Sequence, residues 1–360
     1  MHQTIFHNSN SAKMSVPIVF LRRKVIIICS LLLLFQFTNA QYDFSYLDAK
    51  LEGSKKSFSG QFVLYVVKDG KAIYTKKMGD FDPKLQVPIG FLSQWLSSAL
   101  ILQLADEGKI DLDDKLVQYL PEMAKYSRNF ITFRHCITHQ TGLMQDKSGI
   151  AGMFKRKKYN NLEEEANDII KRDIDFNAGE SFLYGSVGVN LAARAAEIAT
   201  KKKFEQLMQE KITRPLMMRS TIFYNEDGGA PNPSAGGKST AVDITQFLQM
   251  LLNKGMVNGK KVLSESTIEA CWSVQVENSA MRAVPKTAEG MSFGLGSWIV
   301  PEMNGDGPIL VGLGLNGSWA WVDKKRNYSA VFLTKETSGE DKRPIMLQIQ
   351  QLVEQAIDLK

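Results

Sequence analysis

Residues 61–76, QFVLYVVKDGKAIYTK, hold two β-rich runs on either side of Asp69-Gly70. An Asp-Gly pair between such runs predicts a hairpin, because a tight turn needs residues that tolerate positive φ. After a turn-rich stretch over 79–88, Leu92, Leu96, Ala99 and Leu100 fall at helical spacing and Gly108 supplies a stop. That pattern predicts a buried helix over 92–109. From about 111 to 219 the periodicity is helical between polar loops, as at 167–171 and 203–211. Residues 239–255 predict another amphipathic helix, with Thr240 and Asp243 in its first turn and Gly255 closing it. From Ser292 the strand-like runs return as FGLGSWIV, GPILVGLGL, SWAWVD and YSAVFLT, and the chain ends on a helix near 342–359. Strands at both ends predict one sheet assembled from the two termini, with a helical region inserted between them. The predicted class is α/β in the broad α+β sense: an antiparallel sheet flanked by helices. No repeat or low-complexity linker divides residues 41–360, which are read as one domain with a helical subdomain over roughly 111–219.

The first 40 residues read differently. Arg22-Arg23-Lys24 precedes an apolar run, Val25 to Phe37, and Thr38-Asn39-Ala40 offers small residues at the −3 and −1 positions. This predicts a signal peptide over 1–40, cleaved before Gln41, and therefore export to the periplasm or the cell exterior. The apolar run of 13 residues is shorter than the roughly 20 that a spanning helix needs, so no membrane span is expected after cleavage. Cys29 sits early in that run after Ile28, where a lipoprotein cysteine would follow a small residue. Met14 serves equally well as a start.

Charge excludes one class of function. The net +6 includes four basic residues and no acid within 1–40, which leaves 40 basic against 38 acidic residues beyond it, a net of +2. That is no electrostatic footprint for nucleic acid. Lys155-Arg156-Lys157-Lys158 is followed by Glu163-Glu164-Glu165 and reads as a solvated face. Cys136 and Cys271 are the cysteines beyond the signal. Two thiols make no disulfide-rich scaffold, and their pairing is left open. His135 and His139 lie at i, i+4, but Cys136 stands where a zinc helix motif needs glutamate. Gly236-Gly237-Lys238-Ser239-Thr240 imitates the tail of a phosphate loop. Asn232 stands where that motif needs its first glycine, so the segment reads as a turn capping a helix. Trp298, Trp319 and Trp321 read as core aromatics of strands. No metal or other cofactor is expected.

Six segments in order resemble the class C β-lactamase-like family of β-lactamases, penicillin-binding proteins, carboxypeptidases and esterases. They are ILQLADEGKIDLDDKLVQYLPE (101–122), ITFRHCITHQTGL (131–143), NAGESFLYGSVGVNLAARAAEIAT (177–200), ITRPLMMRSTIF (212–223), SAGGKSTAVDITQFLQMLLNKG (234–255) and FGLGSWIV (293–300). A Gly-rich strand near 312–323 completes the order. The resemblance implies the β-lactamase/transpeptidase-like fold with its site between sheet and helical subdomain. It also implies covalent acyl transfer: a serine attacks a carbonyl, a lysine three residues later on the same helical face handles its proton, and a tyrosine assists. Counting back from ILQL, the serine position is Phe91 and the lysine position is Gln94. No serine in the chain has lysine at +3. The second motif reads Tyr184-Gly185-Ser186, with serine in place of asparagine. The third reads Gly312-Leu313-Gly314, without its cationic or imidazole residue. The resemblance also implies two backbone oxyanion donors, the N–H groups of Phe91 and Leu315.

The reading that follows is an exported pseudoenzyme that binds a peptide, a peptidoglycan fragment or a protein partner. The rival is a working serine hydrolase with a displaced nucleophile, Ser93 or Ser186. A purely structural or assembly role stands third.

Overall fold

The computed structural model describes residues 1–2, 42–145, 156–225, 228–300, 307–314, 316–335 and 342–359. The predicted signal from residue 3 onward, with Cys29, lies outside these residues, as do Lys155 and Leu315. Strands β1 (Phe62–Lys68) and β2 (Lys71–Met78) form the expected hairpin, closed by Asp69 at φ 51° and Gly70 at φ 73°. Both values match the left-handed pair of a type I′ turn. Near the other end come β3 (Ser292–Phe293), β4 (Trp298–Val300), β5 (Ile309–Leu313), β6 (Trp319–Asp323) and β7 (Tyr328–Thr334). These seven strands make one sheet in the order β2-β1-β7-β6-β5-β4-β3, with every pairing antiparallel. Phe62 lies opposite Thr334 across the seam where the two ends of the chain meet.

The helices are α1 (Ser45–Gly53), α2 (Leu92–Asp106), α3 (Phe133–Ile137), α4 (Leu162–Ile170), α5 (Val187–Thr200), α6 (Phe204–Leu207), α7 (Ala241–Leu252), α8 (Glu265–Cys271) and α9 (Arg343–Asp358). Helix α6 runs straight into a π-helical turn, Met208–Thr213. Tyr328 donates to Glu354 of α9, whereas the next residue, Ser329, accepts from Gln249 of α7. Successive strand residues face opposite ways, so α7 and α9 cover opposite faces of the sheet. This explains why β5, β6 and β7 are buried at every position rather than at alternate ones.

Helix α2 is buried from Leu92 through Leu104 without an exposed face, which marks it as a central helix rather than a surface one. Trp95 meets Phe247 of α7 edge-on, with ring centroids 5.4 Å apart. Beneath Trp95 runs β5. A Cβ at Gly312 would stand 2.5 Å from the Trp95 ring and 2.6 Å from a Leu92 methyl. The glycine therefore lets helix and strand touch.

The segment over 239–255 folds as predicted, with Thr240 capping α7 by accepting from the Asp243 amide. Asp243 in turn accepts from Thr221 Oγ1 and the Ser220 amide, which anchors the preceding turn. Burial still holds its carboxyl above the usual range, because desolvation outweighs those bonds. The basic run is not wholly a solvated face. Arg156 makes a two-point ion pair with buried Glu165 and donates to the carbonyls of Ala230 and Pro231. The pairing left open for Cys136 and Cys271 is absent: both are free, buried thiols. Desolvation raises both, Cys271 to about 12.

Gly312→Ala is expected to destabilise the protein by about 1–3 kcal/mol, because a methyl there overpacks the α2–β5 contact. Urea denaturation checks this, and an unchanged midpoint contradicts the contact.

Candidate functional site

The start of α2, the strand β5 and the Tyr184–Ser186 turn converge, as the order of motifs predicts. Gly90 has φ 53°, and its missing Cβ would lie 2.4 Å from the Gly314 carbonyl oxygen. Glycine here lets the chain enter α2 directly against the end of β5. Phe91 follows as the first residue of the helical turn, buried at 2% exposure. Its N–H donates to the Gly314 carbonyl at 3.2 Å. The expectation that this N–H is a free oxyanion donor is therefore corrected: it is spent on the strand beside it. A donor in use cannot stabilise a developing charge without breaking its present bond.

Gln94 is buried at 2% exposure, and its Nε2 donates to the Gly185 carbonyl at 3.1 Å. The amide thus bridges α2 to the second motif. Its Oε1 has no hydrogen-bond partner among the described residues. Tyr184 is buried too, held by its amide to the Ala283 carbonyl. Desolvation pushes its phenol well above the ordinary tyrosine range, so it stays protonated and is a poor base. Ser186 begins α5, half-buried. The Gln145 side chain occupies the space where a Gly185 Cβ would point.

Ser93 is fully buried. Its hydroxyl donates to the Gly90 carbonyl at 2.6 Å and accepts from the Gly237 amide at 2.9 Å. It ties α2 to the Gly-Gly turn that resembles a phosphate loop in sequence. That turn lacks a phosphate cradle: Lys238 bridges Ile222 and Ser239 bonds Thr221.

An aromatic shell fills the remaining volume. Tyr184 lies 4.6 Å from His139, 5.0 Å from Trp298 and 5.9 Å from Phe91, measured between ring centroids. Phe182 and Phe293 close the group at 5.3 Å from each other. His139 is 3% exposed, and neither ring nitrogen has a partner among the described residues. Burial pushes its pKa down to about 3, so the imidazole is neutral. His135 instead completes the capping box of α3 with Thr132. Sequence reading missed this shell. Its members come from four separate segments, and the available signal was that most of them flank a family motif.

A Beta-lactamase family profile matches residues 56–354, and the chain belongs to that family. It is 30% identical over 177 residues to the teichoic acid D-alanine hydrolase of Staphylococcus aureus, a match covering 47% of this chain and 42% of the relative. The match thus takes in less than half the length of that relative. Among solved structures, a beta-lactamase-like protein of Bacteroides dorei DSM 17855 superposes with TM-score 0.76 at 24% identity, covering 88% of this chain and 99% of the other. An octameric penicillin-binding protein homologue of Pyrococcus abyssi gives 0.69 at 20% identity, over 86% and 77%. Both likenesses support the fold.

His139 makes stability depend on pH. Its folded pKa lies below the unfolded value of about 6.5, so below that pH the unfolded chain binds a proton that the native state refuses. Its contribution is complete above about pH 6.5 and is lost as pH falls toward about 3. The expected loss is about 1.4 kcal/mol per pH unit, near 2 kcal/mol at pH 5. Denaturation at pH 7 and pH 5 tests it: His139→Phe should remove most of the difference, and an equal loss in both proteins contradicts the assignment.

Proposed function

We propose that this chain is a non-catalytic member of the Beta-lactamase family, an exported binding protein whose ligand is a peptide, a cell-wall fragment or a protein partner. The observation that carries this reading is the pair at the head of α2. Phe91 and Gln94 stand at the nucleophile and base positions, and both are built into the fold. One spends its amide on Gly314 and the other its side-chain N–H on Gly185. Acyl transfer needs a nucleophile with a base within hydrogen-bond reach. Phenylalanine and glutamine supply neither. The S. aureus relative is named for hydrolysis of teichoic acid D-alanine, which favours a component of the cell envelope as ligand.

The rival reading, a hydrolase with a displaced nucleophile, finds little support. The Ser93 hydroxyl is buried and engaged both as donor and as acceptor. Ser186 is half-buried. Among the described residues no lysine or histidine bonds to either serine. Phe91→Ser with Gln94→Lys would return a hydroxyl and an amine to one helical face. An imidazole cannot be returned at position 312, because Trp95 and Leu92 already fill that space.

Incubation with a fluorescent penicillin and a chromogenic ester is expected to give neither covalent label nor turnover. Saturable labelling, or turnover abolished by Ser186→Ala, overturns the reading. Ser93→Ala should behave as a structural change, costing about 1–3 kcal/mol through the unsatisfied Gly237 amide, as read by chemical denaturation.

A further inference from the structure

His139 is enclosed by rings on a strained backbone. Its φ of 57° lies in the left-handed region, which a residue other than glycine keeps only where its surroundings enforce it. The imidazole meets Tyr184 at 4.6 Å, Phe293 at 5.1 Å and Phe182 at 5.6 Å between centroids. The segment over 182–184 presents one titratable group to it, the protonated Tyr184 phenol. Charged side chains on the packed elements turn elsewhere. On its own loop Arg134 pairs with Asp113, and His135 faces Thr132. Glu180 accepts from Asn177, and Arg282 lies over Phe176. Glu277 bonds Ser292, which faces the opposite way from Phe293. Desolvation alone acts on the imidazole.

Short pairings frame this ring. The His139 carbonyl accepts from the Leu183 amide at 2.9 Å. Strand Phe182–Leu183 pairs with Met281–Ala283 at two positions, with a register shift between them. Strand β3 has two residues and pairs with β4 at Phe293–Trp298 and Ser292–Ile299. By contrast, β1 and β7 pair over seven residues inside the sheet. Short edge pairings open at lower free energy than a long internal one. Both His139 nitrogens and Gln94 Oε1 are buried without partners among the described residues. Opening lets water satisfy them, which lowers its cost further.

We propose that acid opens this shell locally, lifting the segments over 139–143 and 182–185 from β3 and β4 while the rest of the sheet stays folded. A proton on His139 requires water or a polar partner, and the closed shell offers neither. Tyr184 and the Gly185 carbonyl move together, so the second motif separates from Gln94. The altered site is thereby closed at neutral pH and opened by acid. This differs from a global loss of stability, and it holds whether or not the site retains chemistry.

The sign follows from proton uptake. In the open state His139 titrates near its ordinary value of about 6.5, so at pH 5 proton binding favours that state by about thirtyfold. Hydrogen exchange read by mass spectrometry on the whole protein tests this at pH 7 and pH 5, with and without low urea. Protection factors remove the intrinsic pH dependence of exchange. Segments over 139–143, 182–185 and 292–298 are expected to lose about thirtyfold of their protection at pH 5, with little dependence on urea, because a local opening exposes little surface. The β1–β7 seam should be better protected at both pH values and steeply sensitive to urea, since global unfolding alone exposes it. The hairpin over 256–261 holds no histidine and should not respond to pH. His139→Phe keeps a ring, whereas His139→Asn suits the left-handed backbone, and each should abolish the acid effect. His135→Gln should retain it. If a His139 variant fails to fold, the regional pattern in the unmodified protein and in His135→Gln still decides. The proposal is overturned if the shell is protected as well as the seam, if its protection is unchanged at pH 5, if the loss persists without His139, or if His135→Gln abolishes it.

Discussion

Helix α2 lies so close on strand β5 that position 312 has room for a hydrogen atom and little else. Much of the site follows from that contact. With the helix pressed on the strand, its first residues meet the strand end, where Gly90 passes the Gly314 carbonyl and Phe91 bonds it. Ser93, in the first turn, is carried to the Gly-Gly turn before α7. Gln94 is carried to the second motif. Interiors are packed too tightly for these placements to vary independently.

The same contact sets the surroundings of Phe91 and Gln94. Family membership rests on the chain's match over residues 56–354. The side chains at 91 and 94 are both buried, each at 2% exposure. Phe91 joins the rings of Tyr184, His139, Phe182, Phe293 and Trp298. Burying an aromatic is worth several kcal/mol, and the neighbouring imidazole is kept neutral at the cost of sensitivity to acid.

What was legible in the sequence follows from how local each signal is. The Asp69-Gly70 hairpin, the α2 helix ended at Gly108 and the Thr240 cap of α7 depend on neighbours a few residues apart, and all three fold as read. Arg156 was misread because its partner, Glu165, looks in sequence like part of an exposed acidic run. Burial on α4 turns that pair inward. The Phe91 amide was misread because a backbone donor carries no sequence label, and whether it is free depends on a carbonyl more than 200 residues away.

The sequence by itself determined that the sheet draws strands from both ends, that the motif order is family-like, and that no Ser-x-x-Lys exists in any register. These are properties of spacing and identity along the chain. Tertiary structure decided which groups are spent and which are open. It closed Phe91, Gln94 and Ser93 into internal bonds, kept Cys136 and Cys271 apart, and gathered His139 into an aromatic shell. The reason is physical: a hydrogen bond, a buried ring or a cluster of charges depends on distance in space, and distance in space is set by how closely a helix can lie on a strand.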